Sequence, residues 1–328
     1  MNQYRCSMKF IEYIKENRWI ILIITLAILL RFFHLGFQSA WLDEVHTLKE
    51  SDPDLPYSQF YKVIIFHEGI PHLYFLIVRF FSEVFGTGIF IARVPSAIGG
   101  VLTVWFVYLL GKELCNKRAG QISALLLTIN FMHIEYSQEA RSYAMLAFFA
   151  TASFYYLIRF VQVANLKYAL LLGLFCGLTT NMQPIGLVNV AAIYFILFIV
   201  LISNQTKHTK KLMSMSIVSL LVSTIVFIPV YQSLKKVSIM KNLWIQPLSW
   251  DAMYQVLVSL SGNSKIVLTA VSLSIIYLFI IAVRMLSNKS HRDLSQNRPL
   301  LGIMILFIWI FSEIAAVVLK SYFGDSIM

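Results

Sequence analysis

Two adjacent carboxylates, Asp43 and Glu44, stand in the segment Trp41-Leu42-Asp43-Glu44, directly after the first long apolar run of the chain. A second polar cluster runs from His133 to Arg141 and carries Glu135, Gln138 and Glu139. Three arginines, Arg31, Arg93 and Arg141, each fall near the end of an apolar run. The chain has only 16 Asp and Glu in 328 residues, so paired acids at such a boundary need a reason. Carboxylates placed there move protons or bind a divalent cation, and arginines hold an anion where negative charge develops. The plainer alternatives are a solvated acidic turn that ends a helix and arginines that snorkel to the interface. Three arginines beside paired acids favour a site.

The elements that must position these residues follow from hydropathy. The composition is 58% hydrophobic and 13% charged, and apolar runs near the roughly 20 residues of a bilayer crossing recur along the chain. The fold class expected is an all-α polytopic membrane protein, read as one domain over residues 1–328. Continuous rather than alternating runs exclude a transmembrane β-barrel. The net charge of +11 does not point to nucleic acid, because the cations sit in short loops between apolar runs. Cys6, Cys115 and Cys176 are scattered, without metal-ligand spacing or a pairing pattern. The first run has no small-x-small cleavage site after it and reads as a retained helix.

Lys and Arg prefer cytoplasmic loops. Arg5, Lys9, Lys15 and Arg18 place the N-terminus in the cytoplasm. The first helix, about 19–37, then runs outward and leaves Asp43 and Glu44 outside. Residues 71–85 form a short apolar segment, interrupted by Arg79 and Glu83, that suits an interfacial helix better than a crossing. With that segment not crossing, 90–110 runs inward and delivers Lys112, Lys117 and Arg118 to the cytoplasm. Further crossings are expected at 121–132, 143–158, 168–182, 185–202, 212–230, 266–283 and 300–319, about nine in all. The exceptions to the charge rule, Lys235, Lys236 and Lys241, share a loop with Trp244 and Trp250. The first outer loop spans about 38–89 and a second outer motif about 133–142. In the first loop, Trp41, Val45 and Leu48 put an apolar stripe on a short amphipathic helix lying in the interface, with Asp43 on the opposite side.

Several blocks then carry a resemblance. Arg93-Val94-Pro95-Ser96-Ala97-Ile98-Gly99-Gly100, Gly111-Lys112-Glu113-Leu114, Arg118-Ala119-Gly120 and His133-Ile134-Glu135-Tyr136-Ser137-Gln138-Glu139-Ala140-Arg141-Ser142-Tyr143 resemble the family 39-type membrane glycosyltransferases. These are relatives of the protein O-mannosyltransferases and of the aminoarabinose transferase that modifies lipid A. Trp41-Leu42-Asp43-Glu44 is similar to the first-loop acidic motif of that family. The resemblance covers about residues 31–143. It implies the GT-C fold, a helical bundle with amphipathic helices on its outer face, and a polyprenyl-phosphate sugar as donor.

By matching positions, the resemblance makes Asp43 the catalytic carboxylate, a general base or a ligand of a divalent metal. It makes Glu44 the partner of Asp43 and Glu139 the second acidic position. Arg93 and Arg141 hold the lipid phosphate, and Arg31, His67, Tyr74 and Gln138 complete the implied donor-binding set. No cofactor is required by the sequence; a divalent metal on Asp43 and Glu139 is the one candidate. The family run His-Pro-Pro-Leu-Tyr reads here as His67-Glu68-Gly69-Ile70-Pro71-His72-Leu73-Tyr74, with His72 in place of a proline. Family members usually carry several more helices, so a C-terminally truncated copy is expected. The function implied is inverting transfer of a sugar to an acceptor hydroxyl on the outer face of the cytoplasmic membrane. The partners are the lipid-linked donor, membrane lipids and a lipid, protein or glycan acceptor, with no nucleic acid. Two other readings stay open: a transporter or flippase for an anionic lipid or solute, for which Glu313 in the last span is the natural ionisable group, and an inactive remnant.

Overall fold

The computed structural model describes residues 2–67, 71–203, 207–231, 235, 249–287 and 297–327. It is 84% helical, with no strand among the described residues. The helices are α1 (Asn2–Phe32), α2 (Leu42–Glu50), α3 (Tyr57–His67), α4 (Leu73–Phe85), α5 (Ile89–Leu114), α6 (Lys117–Thr128) and α7 (Phe131–Ser137). They continue with α8 (Tyr143–Val163), α9 (Leu166–Thr180), α10 (Gly186–Ser203) and α11 (Lys207–Phe227). After a 3-10 turn at Ile228–Val230 come α12 (Trp250–Leu260), α13 (Lys265–Ser287) and α14 (Arg298–Ile327).

Several helix starts are written in the sequence. Asn116, Asn130 and Asn165 cap α6, α7 and α9, each side chain accepting from a backbone N–H three residues on (Ala119, His133, Tyr168). Such caps satisfy donors that the first turn leaves orphaned. The cap at Asn130 fixes where the His133 motif begins.

Among the described residues six helices are long and apolar enough to cross a bilayer: α5, α8, α10, α11, α13 and α14. The other three expected crossings are helical but lack an apolar run of that length. α6 has 12 residues and α9 has 15, or about 18 and 23 Å of rise. The apolar part of α1 is confined between Arg18 and Arg31. The segment expected to be interfacial is α4, whose 13 residues also fall short of a crossing. α1 stops at Phe32 rather than near Phe37. The chain turns there, with His34 at φ +53° and Gly36 against the Phe90 side chain. Expected positions Lys236, Lys241 and Trp244 lie outside the described residues.

α5 is the spine of the N-terminal half, packed against α1, α4, α6, α7 and α8. Small residues allow this crowding. A Cβ on Gly100 would run into Ser137 of α7, and one on Gly120 of α6 would lie 2.5 Å from the Tyr108 carbonyl of α5. A second set, Gly173 and Gly177 of α9, lets α11 approach closely. Between these contacts lies an aromatic core: Phe106 of α5 meets Phe148, Tyr155 and Tyr156 of α8 and Phe175 of α9 at ring separations of 5.5–6.1 Å.

Candidate active site

The two acids of the first motif, adjacent in sequence, face different surroundings. Both lie in the first turn of α2, where the positive end of the helix dipole favours carboxylates. One residue step turns a helix by about 100°, and that step separates them. Glu44 is fully buried. Its Oε1 accepts from Arg93 Nε at 2.8 Å and from the Ala140 N–H at 2.7 Å, and its Oε2 accepts from Arg93 Nη2 at 2.7 Å. Asp43 keeps 38% of its side chain exposed, with Oδ2 3.8 Å from Arg141 Nη2.

This geometry places two of the residues named by resemblance inside the frame. All five N–H groups of Arg93 are used: two on Glu44, and the others on the carbonyls of Leu35, Gln38 and Ser39. None is left for a lipid phosphate. Arg93 instead ties α5 to the turn after α1. Glu44 is the joint at which α2, α5 and the loop after α7 meet, with its charge matched inside the protein.

Arg31 and Gln138 lie in the frame in the same way. Arg31 is fully buried; Nη1 donates to the Ala27 and Thr128 carbonyls, and Nη2 to the Leu127 carbonyl and His133 Nδ1. It joins α1, α6 and α7. Burial, with Arg31 adding, holds the His133 imidazole at about 3, so the ring is neutral and Nδ1 accepts. Gln138 Nε2 donates to the carbonyls of Leu30, Arg31 and Phe33, closing the C-terminal end of α1. Tyr74 is 1% exposed and also points inward. Its hydroxyl donates to Ser96 Oγ at 2.8 Å, and Ser96 donates to the Arg141 carbonyl at 2.9 Å. His67 closes α3, and its side chain lies outside the described residues, as does Glu68.

Arg141, Asp43 and Glu139 remain at the mouth. Arg141 Nη1 lies 3.4 Å from the Asp43 carbonyl and from Thr47 Oγ1. Glu139 is half-buried, with Oε2 enclosed and without a hydrogen-bond partner. Burial pushes its carboxyl up to about 7, with Glu44 and Glu135 adding and Arg141 and Arg93 opposing. Among the described residues no three His, Cys, Asp or Glu side chains converge as a metal site. The sequence reading missed Thr47, Ser96 and the Ala140 N–H. Thr47 was findable, four residues after Asp43 and three after Glu44 on the polar face of α2. The arrangement is an exposed carboxylate against an arginine, on a frame locked by a buried ion pair.

Comparison with known proteins agrees with that frame. Residues 70–232, from just before α4 to the turn after α11, match the family model described as dolichyl-phosphate-mannose-protein mannosyltransferase. Asp43 and Glu44 precede the matched stretch. No curated protein matches the chain. Among solved structures, the Saccharomyces cerevisiae protein O-mannosyltransferase Pmt1–Pmt2 complex bound to the sugar donor is similar at TM-score 0.56 and 19% identity, over 67% of this chain and 34% of that one. The Archaeoglobus fulgidus oligosaccharyltransferase AglB, in complex with an inhibitory peptide and a dolichol-phosphate, gives 0.54 and 17%, over 94% of this chain and 39% of that one. ArnT from Cupriavidus metallidurans, bound to undecaprenyl phosphate, gives 0.53 and 14%, over 94% and 62%. The chain thus spans between 34% and 62% of the length of these structures, and at such identities the likeness is one of fold. Over residues 70–232 the chain is thus similar to the dolichyl-phosphate-mannose-protein mannosyltransferase family, and in fold it is similar to these membrane proteins.

Proposed function

We propose that the chain transfers a sugar from a polyprenyl-phosphate donor to an acceptor hydroxyl, at the face that carries Asp43 and Arg141. The observation that carries this reading is the division of labour within the first motif. Glu44 is spent on the frame, whereas Asp43 stays open beside an arginine. In the proposed step the acceptor oxygen attacks the anomeric carbon and its proton passes to Asp43. The bond from that carbon to the phosphate oxygen breaks with inversion, and polyprenyl phosphate leaves against Arg141. A base within hydrogen-bond reach and a cation where charge develops are the two groups that such a displacement needs. The ligands named for the yeast, archaeal and bacterial structures support a lipid-phosphate donor. The charge rule supports an active face on the outside of the cytoplasmic membrane, with the N-terminus inside. Asp43 and Glu139 are the carboxylates that would hold a divalent ion, which would supply Lewis-acid chemistry there.

The test uses purified protein with a panel of labelled polyprenyl-phosphate sugars and hydroxyl acceptors, with and without divalent metal. Asp43→Asn is expected to lower release of polyprenyl phosphate by about 10²–10⁴-fold, the range of general-base contributions. Its unfolding midpoint should stay near wild type, because the Asp43 side chain is open. Transfer at the wild-type rate by the variant would end the assignment of Asp43.

A further inference from the structure

An apolar groove of about 960 Å³ runs between α10, α13 and α14, with Phe195, Phe279, Met304 and Phe307 among its walls. Along α14 it extends from Leu300 to Ser312. That is about 18 Å of helix, comparable with the ~15 Å of hydrocarbon in one bilayer leaflet. One end is bounded by Ser203, Val283 and Leu300. Two exposed cations flank that end: Arg284 follows Val283, and Arg298 precedes Leu300 by two residues. Arg298 lies 3.7 Å from Glu113, but Arg159 already faces the same carboxylate at 3.0 Å. Two guanidinium groups over one carboxylate leave this rim positive, with Arg284 in addition. Arg298 also opens α14, where the helix dipole favours an anion.

The rim is at the end of the bundle away from Asp43. Arg93, which anchors the site, and Glu113, which meets Arg298, are separated by about 30 Å of α5. A donor phosphate at Arg141 therefore belongs to the other membrane face.

We infer that this groove binds an anionic phospholipid of the leaflet opposite the Asp43 face, with an acyl chain along α14 and the phosphate at the rim of Arg284 and Arg298. The inference does not depend on the transfer reading. A neutral or zwitterionic lipid fills the groove equally well but gains less at the rim, because only a net negative headgroup answers the surplus positive charge.

The full chain in detergent, titrated with phosphatidylglycerol or phosphatidylcholine of the same acyl chains, tests this by thermal unfolding and by native mass spectrometry. Phosphatidylglycerol should raise the unfolding midpoint by several degrees more than phosphatidylcholine and remain bound after gentle activation. Arg284→Ala should remove that difference while leaving the midpoint in phosphatidylcholine unchanged. Ala191→Trp, which places a bulky ring in the groove from its exposed side, should lower retention of both lipids. Equal stabilisation by the two lipids, or an undiminished preference in Arg284→Ala, would overturn the headgroup assignment. Stronger retention of polyprenyl phosphate than of phosphatidylglycerol would overturn the proposal by giving the groove to the donor. Sugar transfer lost or kept in these variants is read separately and bears on the active site alone.

Discussion

At the scale of single residues, Glu139 bears a cost that its neighbours do not relieve. Its carboxyl is half-buried, one oxygen is enclosed without a partner, and two other acids act on it, so it titrates near 7 rather than 4.5. A carboxyl raised in the folded state holds its proton more tightly there than in the unfolded chain. Its contribution to stability is full below about 4.5 and is lost as the pH rises through about 7. The unfolding midpoint of the wild type is therefore expected to fall across that window, and Glu139→Gln, neutral at every pH, to give a flatter curve. Thermal unfolding in detergent at pH steps from 4.5 to 7.5 measures this, and parallel curves would remove Glu139 from the titration. The same scale shows what the sequence revealed and what it hid. Asp43, Glu44, Glu139 and Arg141, singled out by residue type, do gather in space. Sequence could not separate Asp43 from Glu44, which have the same chemistry and adjacent positions; a turn of helix decides which meets Arg93. Nor could it show that Arg31, Arg93 and Gln138 spend their donors on backbone carbonyls, because a carbonyl partner has no residue identity.

At the scale of elements, the question is what holds α2 in place. The helix has nine residues and on its own would be marginal in water. Its polar face, with Glu44, Thr47 and Glu50, is the buried one, while Trp41 and Leu42 are exposed. Of its apolar stripe Trp41 is exposed, and Leu48 packs against the core that holds Tyr74 and Val78, so apolar burial attaches the helix only in part. The bond from Glu44 to Arg93 and to the Ala140 N–H supplies the polar attachment. Replacing one partner of a buried pair strands the other charge, at a cost of about 3–5 kcal/mol. Glu44→Gln is accordingly expected to destabilise the protein by that order and to release α2 locally. Limited proteolysis should then cut sooner between α2 and α3, and the unfolding midpoint should fall, whereas Asp43→Asn changes neither. Equal resistance of wild type and Glu44→Gln would mean that some other contact secures the helix. The existence of α2 and its amphipathic character were legible from the spacing of Trp41, Val45 and Leu48. The lengths of α6 and α9, 12 and 15 residues, were legible as well, but their starts were not, because hydropathy does not reveal where an asparagine cap begins a helix.

At the scale of the whole molecule, the polar groups divide into sets with different neighbours, and this is the ground on which transfer and transport can be told apart. Transfer concentrates its chemistry where α2, α5 and the α7–α8 loop meet. Transport needs an ionisable group within the spanning bundle, and the sequence offered Glu313 for it. In the structure Glu313 Oε1 accepts from Asn189 Nδ2 at 2.7 Å, so it joins α14 to α10 by one polar contact between two apolar helices. Such contacts between membrane helices contribute on the order of 1 kcal/mol. Glutamine at position 313 keeps a carbonyl oxygen for Asn189 and removes only the titratable proton. If Glu313 is a packing residue, Glu313→Gln should fold at wild-type yield and transfer sugar within about twofold of wild type. If the molecule works by moving protons or anions through the bundle, the same variant should lose more than tenfold of its activity with its fold intact, because it removes the titratable proton that Glu313 holds beside Asn189. Wild-type turnover in Glu313→Gln together with loss in Asp43→Asn would confine the chemistry to the Asp43 face and leave α14 as scaffold.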